Sequence, residues 1–348
     1  MAYRMESFVA VFSLAYNELT GHVAARFAIR RAAGIRFRAD LAASTRNSCS
    51  WRFVIMPDAA RVLATIRQAT RIFRESPGRH GSQVLLDDAE EVIVVGDLHG
   101  NIPALRQVFE YADLDNHKKR HLVLQELIHG PRMYPNDGGD RSHQLVDLVC
   151  GLKCRYARRV HVILGNHELS EITGRAIAKN GVPLNALYHI GVRTAYGELA
   201  EEICEAYREL FLAYPLAVRT PNRVLICHTM PDGHWLDQFD PEILQATSWT
   251  APQMARGGSV YMLTWGRDIA PETADRFLGM MDADWLITGH QPCDEGYSVA
   301  NHRQIIIDGT DPFPTFLHFD ARDPITLEKL KAGIHVLRHG DSVPAENE

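Results

Sequence analysis

Across these 348 residues there is no C-x-x-C pair, no dense cysteine framework, no internal repeat and no low-complexity tract. The six cysteines (Cys49, Cys150, Cys154, Cys204, Cys227 and Cys293) are scattered, so they read as reduced thiols, and a disulfide scaffold is not needed. Positive charge is not in excess either. A net charge of -6 and a pI near 6.3 exclude a protein held to nucleic acid mainly by phosphate neutralisation, although a catalytic nuclease escapes that argument. No apolar run approaches the roughly 18 to 20 residues of a membrane-spanning helix. The expectation is a soluble, cytoplasmic protein with no membrane partner. Residues Phe8 to Tyr16 have the apolarity of a signal segment, but Glu6 precedes them and no small-residue cleavage site follows.

What is present is 46% hydrophobic content, enough for one large domain with appendages. Between Gly21 and Met56, Arg26, Arg30, Arg31, Arg36, Arg38, Arg46 and Arg52 face a single acid, Asp40. A transit-like leader, a disordered arm and upstream sequence read from too early a start codon all fit that segment, and no function is assigned to residues 1–55. From Met56-Pro57-Asp58 onward the spacing predicts an amphipathic helix, with Val62, Leu63, Ile66, Ala69, Ile72 and Phe73 on one side. Residues 56–90 therefore read as a leading helix and connector, 91–320 as the main domain and 321–348 as a polar tail that frays.

The main domain alternates strand and helix signals, the pattern of an α/β layered domain. Short apolar runs at Glu91 to Val95, His121 to Leu124, Arg159 to Leu164, Arg223 to Cys227, Asp284 to Thr288 and Gln304 to Ile307 are candidate strands. Helical periodicity marks Pro103 to Tyr111, Ser142 to Leu152 with Ser142 as N-cap, Glu198 to Tyr214, and Pro271 to Met281. Four of the strands end in ligand-type residues: Gly96-Asp97-Leu98-His99-Gly100, Gly165-Asn166-His167-Glu168, His228, and Gly289-His290. One such histidine alone is most simply a satisfied structural residue. Four in register are not independent accidents, because open α/β sheets place ligands in the crevice beyond their strands' carboxyl ends.

These blocks resemble the signature motifs of the calcineurin-like metallophosphoesterases, especially the phosphoprotein phosphatase branch, with its GDxHG, GDxxDRG and GNHE blocks. The resemblance covers about Val92 to Gly309 and implies the layered α/β-β/α sandwich of that family. It also implies two divalent cations, one held by Asp97 and His99 and the other by Asn166, His228 and His290, with His167 as the acid near the leaving group. Asn166 would in addition face the phosphate. Manganese, iron and zinc all suit such mixed nitrogen and oxygen ligation.

The second block departs from the family pattern. In place of a strand ending in Gly-Asp, two residues and Asp-Arg-Gly, the chain reads Leu122-Val123-Leu124-Gln125-Glu126, and Gly139-Asp140-Arg141-Ser142 arrives only after an insertion. The preferred alignment makes Glu126 the metal-bridging carboxylate and Asp140-Arg141 the Asp-Arg pair. Asp140 then holds the His167 tautomer and raises its pKa, and Arg141 clamps a phosphate oxygen. The rival alignment makes Asp140, or Asp137, the bridge. The insertion from Leu127 to Gly139, rich in Pro and Gly, reads as a surface loop. Arg267 is a second candidate clamp, against an ion pair with Asp268, and Tyr297 a candidate phosphate neighbour.

The implied chemistry is in-line hydrolysis of a phosphoester by a metal-activated water, without a Ser or Cys nucleophile. The expected substrate is a phosphorylated protein or a small phosphoester. Diadenosine polyphosphate hydrolysis, phosphodiester cleavage and an inactive binding scaffold are the alternatives.

Overall fold

The computed structural model describes residues 58–179 and 181–337. The Arg-rich segment and the choice among its three readings lie outside the described residues. The first helix runs Ala59–Arg74, and the Asp58 side chain accepts from the Arg61 N–H at its start. Its buried stripe is Val62, Leu63, Ile66, Ala69, Thr70 and Phe73, so Thr70, whose hydroxyl donates to the Ile66 carbonyl, joins the inner face while Ile72 is only half-buried.

Two sheets form the frame. One has the strand order Ile334–Val336, Thr315–Asp320, Glu91–Asp97, Arg120–Gln125, Val160–Ile163, and its last three strands are mutually parallel. The other runs Arg79–His80, Gln83–Leu85, Ala217–Arg219, Val224–Cys227, Trp285–Thr288, Gln304–Ile307, Tyr297–Asn301, and its Val224, Trp285 and Gln304 strands are parallel. Alternation within the strands explains how they stack. Val92 and Val94 pack with Ile226, Ile287, Ile305 and Ile307 between the sheets, while Ile93 and Val95 face the opposite way, into the core that takes up the helices. Each fully buried Val, Leu or Ile contributes about 1.5–3 kcal/mol, so the pairing of the sheets is fixed by side chains on both faces of the Glu91–Asp97 strand.

The observed strands match the expected runs within a residue or two. Two expectations change. The segment after Ala321 is not a fraying tail as far as residue 337: Leu327–Ala332 is a helix, and Ile334–Val336 pairs antiparallel with Thr315–Asp320 at the sheet edge. The expected helix Glu198 to Tyr214 is a short 3-10 turn, Gly197–Leu199, followed by an α-helix, Ala200–Phe211.

Candidate metal centre

The parallel strands of both sheets end on the same side, and there the motif residues meet. A cleft of about 670 Å³ is lined by Asp97, His99, Glu126, Asn166, His167 and His290, among others. Backbone conformation at this edge is unusual. His99, Glu126, His129 and His290 all have positive φ, between 40° and 68°, a region that non-glycine residues enter at a cost of about 1–3 kcal/mol and that clusters at functional sites. Gly289 is required by close approach: a Cβ there would lie 2.3 Å from Asp97 Oδ1.

Two of the ligand-type histidines are oriented through their other ring nitrogen. His99 Nδ1–H donates to the Ile128 carbonyl at 2.7 Å. His228 Nδ1–H donates to Gln125 Oε1 at 3.0 Å, and the Gln125 amide in turn donates to the Val95 carbonyl. Both rings therefore offer an Nε2 lone pair to the cleft, the arrangement that fixes metal-binding imidazoles. His228 Nε2 lies 2.7 Å from Glu126 Oε2. The Asn166 carboxamide oxygen lies 3.1 Å from His228 Nε2, and the same atom position is 2.8 Å from His290 Nδ1 and 3.1 and 3.3 Å from the two Glu126 oxygens. Acceptors thus converge on one point. A turned amide would offer its two N–H groups to four acceptor atoms; a cation would satisfy all of them together, and the buried Asp97 Oδ1, which has no hydrogen-bond partner, favours the cation.

Two groups of metal-capable atoms result, one of His99, Glu126 and His167 and one of Glu126, His228 and His290, with Glu126 common to both. Burial alone would push the Glu126 carboxyl up, but the neighbouring His167 and His228 outweigh it and hold it well below the usual range. Asp97, equally buried and facing Glu126 and Asp308, is pushed well above. Its Oδ2 accepts the His290 N–H at 2.8 Å. Glu168 is buried as well, braces the Leu127 N–H at 2.8 Å, and is raised by burial and by Glu126 to about 8.

The second block is where expectation and geometry part. Asp140 does not reach His167: its oxygens accept from the Ser142 N–H and Oγ–H, each at 2.8 Å. Nor is the His167 pKa raised on balance: burial pushes it down to about 3, with the Glu126 carboxylate opposing. The partner of His167 Nδ1 is His129 Nδ1, at 2.8 Å. The first residues of the insertion, Leu127 to Gly130, are buried at the site rather than forming a surface loop, while Arg132 to Asp137 are half-buried or exposed. Asp137 accepts from the Gly139 N–H and the Thr194 hydroxyl, away from the cleft. Ser142 precedes the helix His143–Arg155 but spends its hydroxyl on Asp140 instead of capping it.

Arg141 is exposed, with its guanidinium 5.4 Å from the Tyr134 ring centroid, and does not line the cleft. Arg267 does line it, together with Arg132; the backbone N–H of Arg267 donates to Asp232, and Asp268 accepts instead from Gly233 N–H and Thr273 Oγ–H. Tyr297 begins the outermost strand and packs against the core between the sheets, outside the cleft lining. Sequence reasoning overlooked His129, Glu171, Gln125 and Arg132. The signal for His129 was the motif spacing itself, since it stands three residues after Glu126, as the Asp of the Asp-Arg pair stands three after the bridging Asp.

Comparison with known proteins agrees with the geometry. A family model described as calcineurin-like phosphoesterase matches residues 91–294. A probable serine/threonine-protein phosphatase of Encephalitozoon cuniculi is 24% identical over 239 residues, 63% of this chain and 46% of that protein. Human serine/threonine-protein phosphatase 5 is 24% identical over 234 residues, covering 63% of this chain and 42% of its own length. The chain thus spans less than half the length of these two curated relatives. A Saccharomyces cerevisiae protein serine/threonine phosphatase with similarity to human PP5 superposes with a TM-score of 0.60 at 16% identity, covering 82% of this chain and 91% of that one.

Proposed function

The chain belongs to the calcineurin-like phosphoesterase family, and from that premise we propose that it is a metal-dependent phosphomonoesterase acting on phosphorylated protein. The observation that carries the reading is the position of Glu126 between two sets of inward-facing ligand atoms. Asp97 and His99 would hold one cation and Asn166, His228 and His290 the other, with Glu126 shared. Manganese or iron suits these oxygen and imidazole donors better than a thiolate-type zinc centre would. Bound there, a cation pair supplies a water acidified toward neutral pH and offsets charge on the phosphoryl oxygens.

The chain's own residues do the rest. Arg267 and Arg132, which both line the cleft, would hold phosphate oxygens. His167, at the start of the Asn166–Thr173 helix with Nε2 3.4 Å from Glu126 Oε1, would exchange a proton with the leaving oxygen. Trp265, Pro292, Ile177 and Leu184 give the cleft apolar walls, which exclude water around the reacting groups. No helix among the described residues is long and apolar enough to cross a membrane.

The test is turnover of a phosphoserine peptide, p-nitrophenyl phosphate, bis-p-nitrophenyl phosphate and diadenosine tetraphosphate in the presence of manganese. Hydrolysis of the two monoesters, with the diester and the dinucleotide slower by tenfold or more, is the expected result. Preference for either of the latter would move the substrate class, and failure on all four would leave a binding scaffold.

A further inference from the structure

His129 is completely buried at the side chain and touches two partners. Its Nδ1 lies 2.8 Å from His167 Nδ1, and its Nε2 lies 3.1 Å from Glu171 Oε1. Glu171 is held on every side: Oε1 also accepts from the Asn185 amide at 2.7 Å, and Oε2 from His189 Nε2 at 2.8 Å. An ionised carboxylate can only accept, so His129 carries its proton on Nε2 and presents a lone pair at Nδ1. The 2.8 Å contact then requires the proton to be on His167 Nδ1, which leaves His167 Nε2 as the nitrogen that faces Glu126 and the cleft. The backbone is braced to match. His129, at a φ of 62°, donates its N–H to Ser142 Oγ at 3.0 Å, and Ser142 is tied twice to the buried Asp140.

We propose that Glu171 and His129 form a positioning dyad for His167, with Asp140 and Ser142 holding the loop that carries it. The proposal rests on the phosphomonoesterase reading for its kinetic consequence, though not for its tautomer. In the reaction the water oxygen forms the new bond to phosphorus, and the bond from phosphorus to the leaving oxygen breaks with its electron pair kept by that oxygen. A proton taken up from solvent at His167 Nε2 transfers to the leaving oxygen, the proton lost by the water goes to solvent, and His167 Nδ1–H remains bonded to His129 throughout. While His167 carries both protons, its charge is balanced through His129 by Glu171, as a carboxylate balances an imidazolium in hydrolytic triads. The negative charge thus stands one imidazole further from the acid than a direct Asp–His contact would put it.

The experiment combines imidazole nitrogen–proton correlation spectra, with His167 signals assigned by their loss in His167→Asn, and turnover of a phosphoserine peptide against p-nitrophenyl phosphate. The wild type should show His167 protonated at Nδ1. In His129→Phe that tautomer should be lost, with peptide turnover down on the order of 10²-fold, p-nitrophenyl phosphate down less than about threefold and manganese content unchanged. His129→Asn, whose amide oxygen sits near the lost Nδ1, should restore most of the peptide activity. Glu171→Gln should keep the tautomer and slow the peptide about tenfold, so these two variants decide the matter if His129→Phe does not fold. A wild-type His167 protonated at Nε2 and not at Nδ1, or equal losses on both substrates in His129→Asn and Glu171→Gln, would overturn the proposal. A wild type that hydrolyses no phosphoester would instead overturn the phosphatase reading, and the tautomer would still decide the dyad.

Discussion

Glu126 Oε2 stands 2.7 Å from His228 Nε2, a nitrogen whose ring proton is already committed on the other side to Gln125. Two acceptors at that separation, both buried, are stable only with a proton or a cation between them. Because Glu126 also faces His167 through its other oxygen, we propose it as the carboxylate shared by the two cations. Glu126→Gln should therefore lower manganese affinity at one site at least, while Asp140→Asn, whose contacts are with Ser142, should leave manganese content nearly unchanged. Elemental analysis after gel filtration distinguishes them, and manganese loss in Asp140→Asn with full content in Glu126→Gln would reverse the assignment.

Asp97, His228 and His290 come from three different strand ends. Replacing any one by Ala should reduce bound manganese together with activity, because each supplies an atom the others cannot reach. Circular dichroism should stay that of the wild type, since the strands are held by the apolar core between the sheets. Full metal occupancy in all three variants would refute the site.

The two arginines expected to clamp phosphate have separated fates. Arg267→Ala should weaken inhibition by inorganic phosphate about tenfold, close to 1.4 kcal/mol for the loss of a charge-assisted contact. Arg141→Ala should change it less than twofold. Equal effects would mean that Arg141 swings into the cleft.

The Glu171 carboxyl offers a test without catalysis. Burial would raise its pKa, but bonds from His129 and His189 prevail and bring it to about 2 from an ordinary 4.5. The folded pKa is depressed, so the stabilisation is present in full above pH 4.5 and is lost as pH falls toward 2. Urea unfolding of the wild type and Glu171→Gln should differ by up to about 3 kcal/mol more at pH 5 than at pH 2. A gap that does not change with pH would remove the carboxylate from the network.

Strand ends and ligand types were legible in the sequence because both are local. A β-rich run followed by Gly-Asp-x-His-Gly or Gly-Asn-His-Glu carries its own turn and its own donors within five residues. The place of Glu126 at the end of the Arg120–Gln125 strand was legible in the same way. Partnerships between side chains distant along the chain were not. Asp140 and His129 are both candidates to meet His167 by spacing, but the chain after Glu126 turns inward through residues with positive φ and buries Leu127 and Ile128. That turn brings His129 to the imidazole and ties Asp140 to Ser142. The edge strand Ile334–Val336 was hidden for the same reason: three residues in a polar stretch carry little periodicity, and they become a strand because Thr315–Asp320 offers an open edge. Local chemistry thus follows from residue order, whereas the partner of a buried polar group is decided by which atoms the packed core leaves within hydrogen-bond reach.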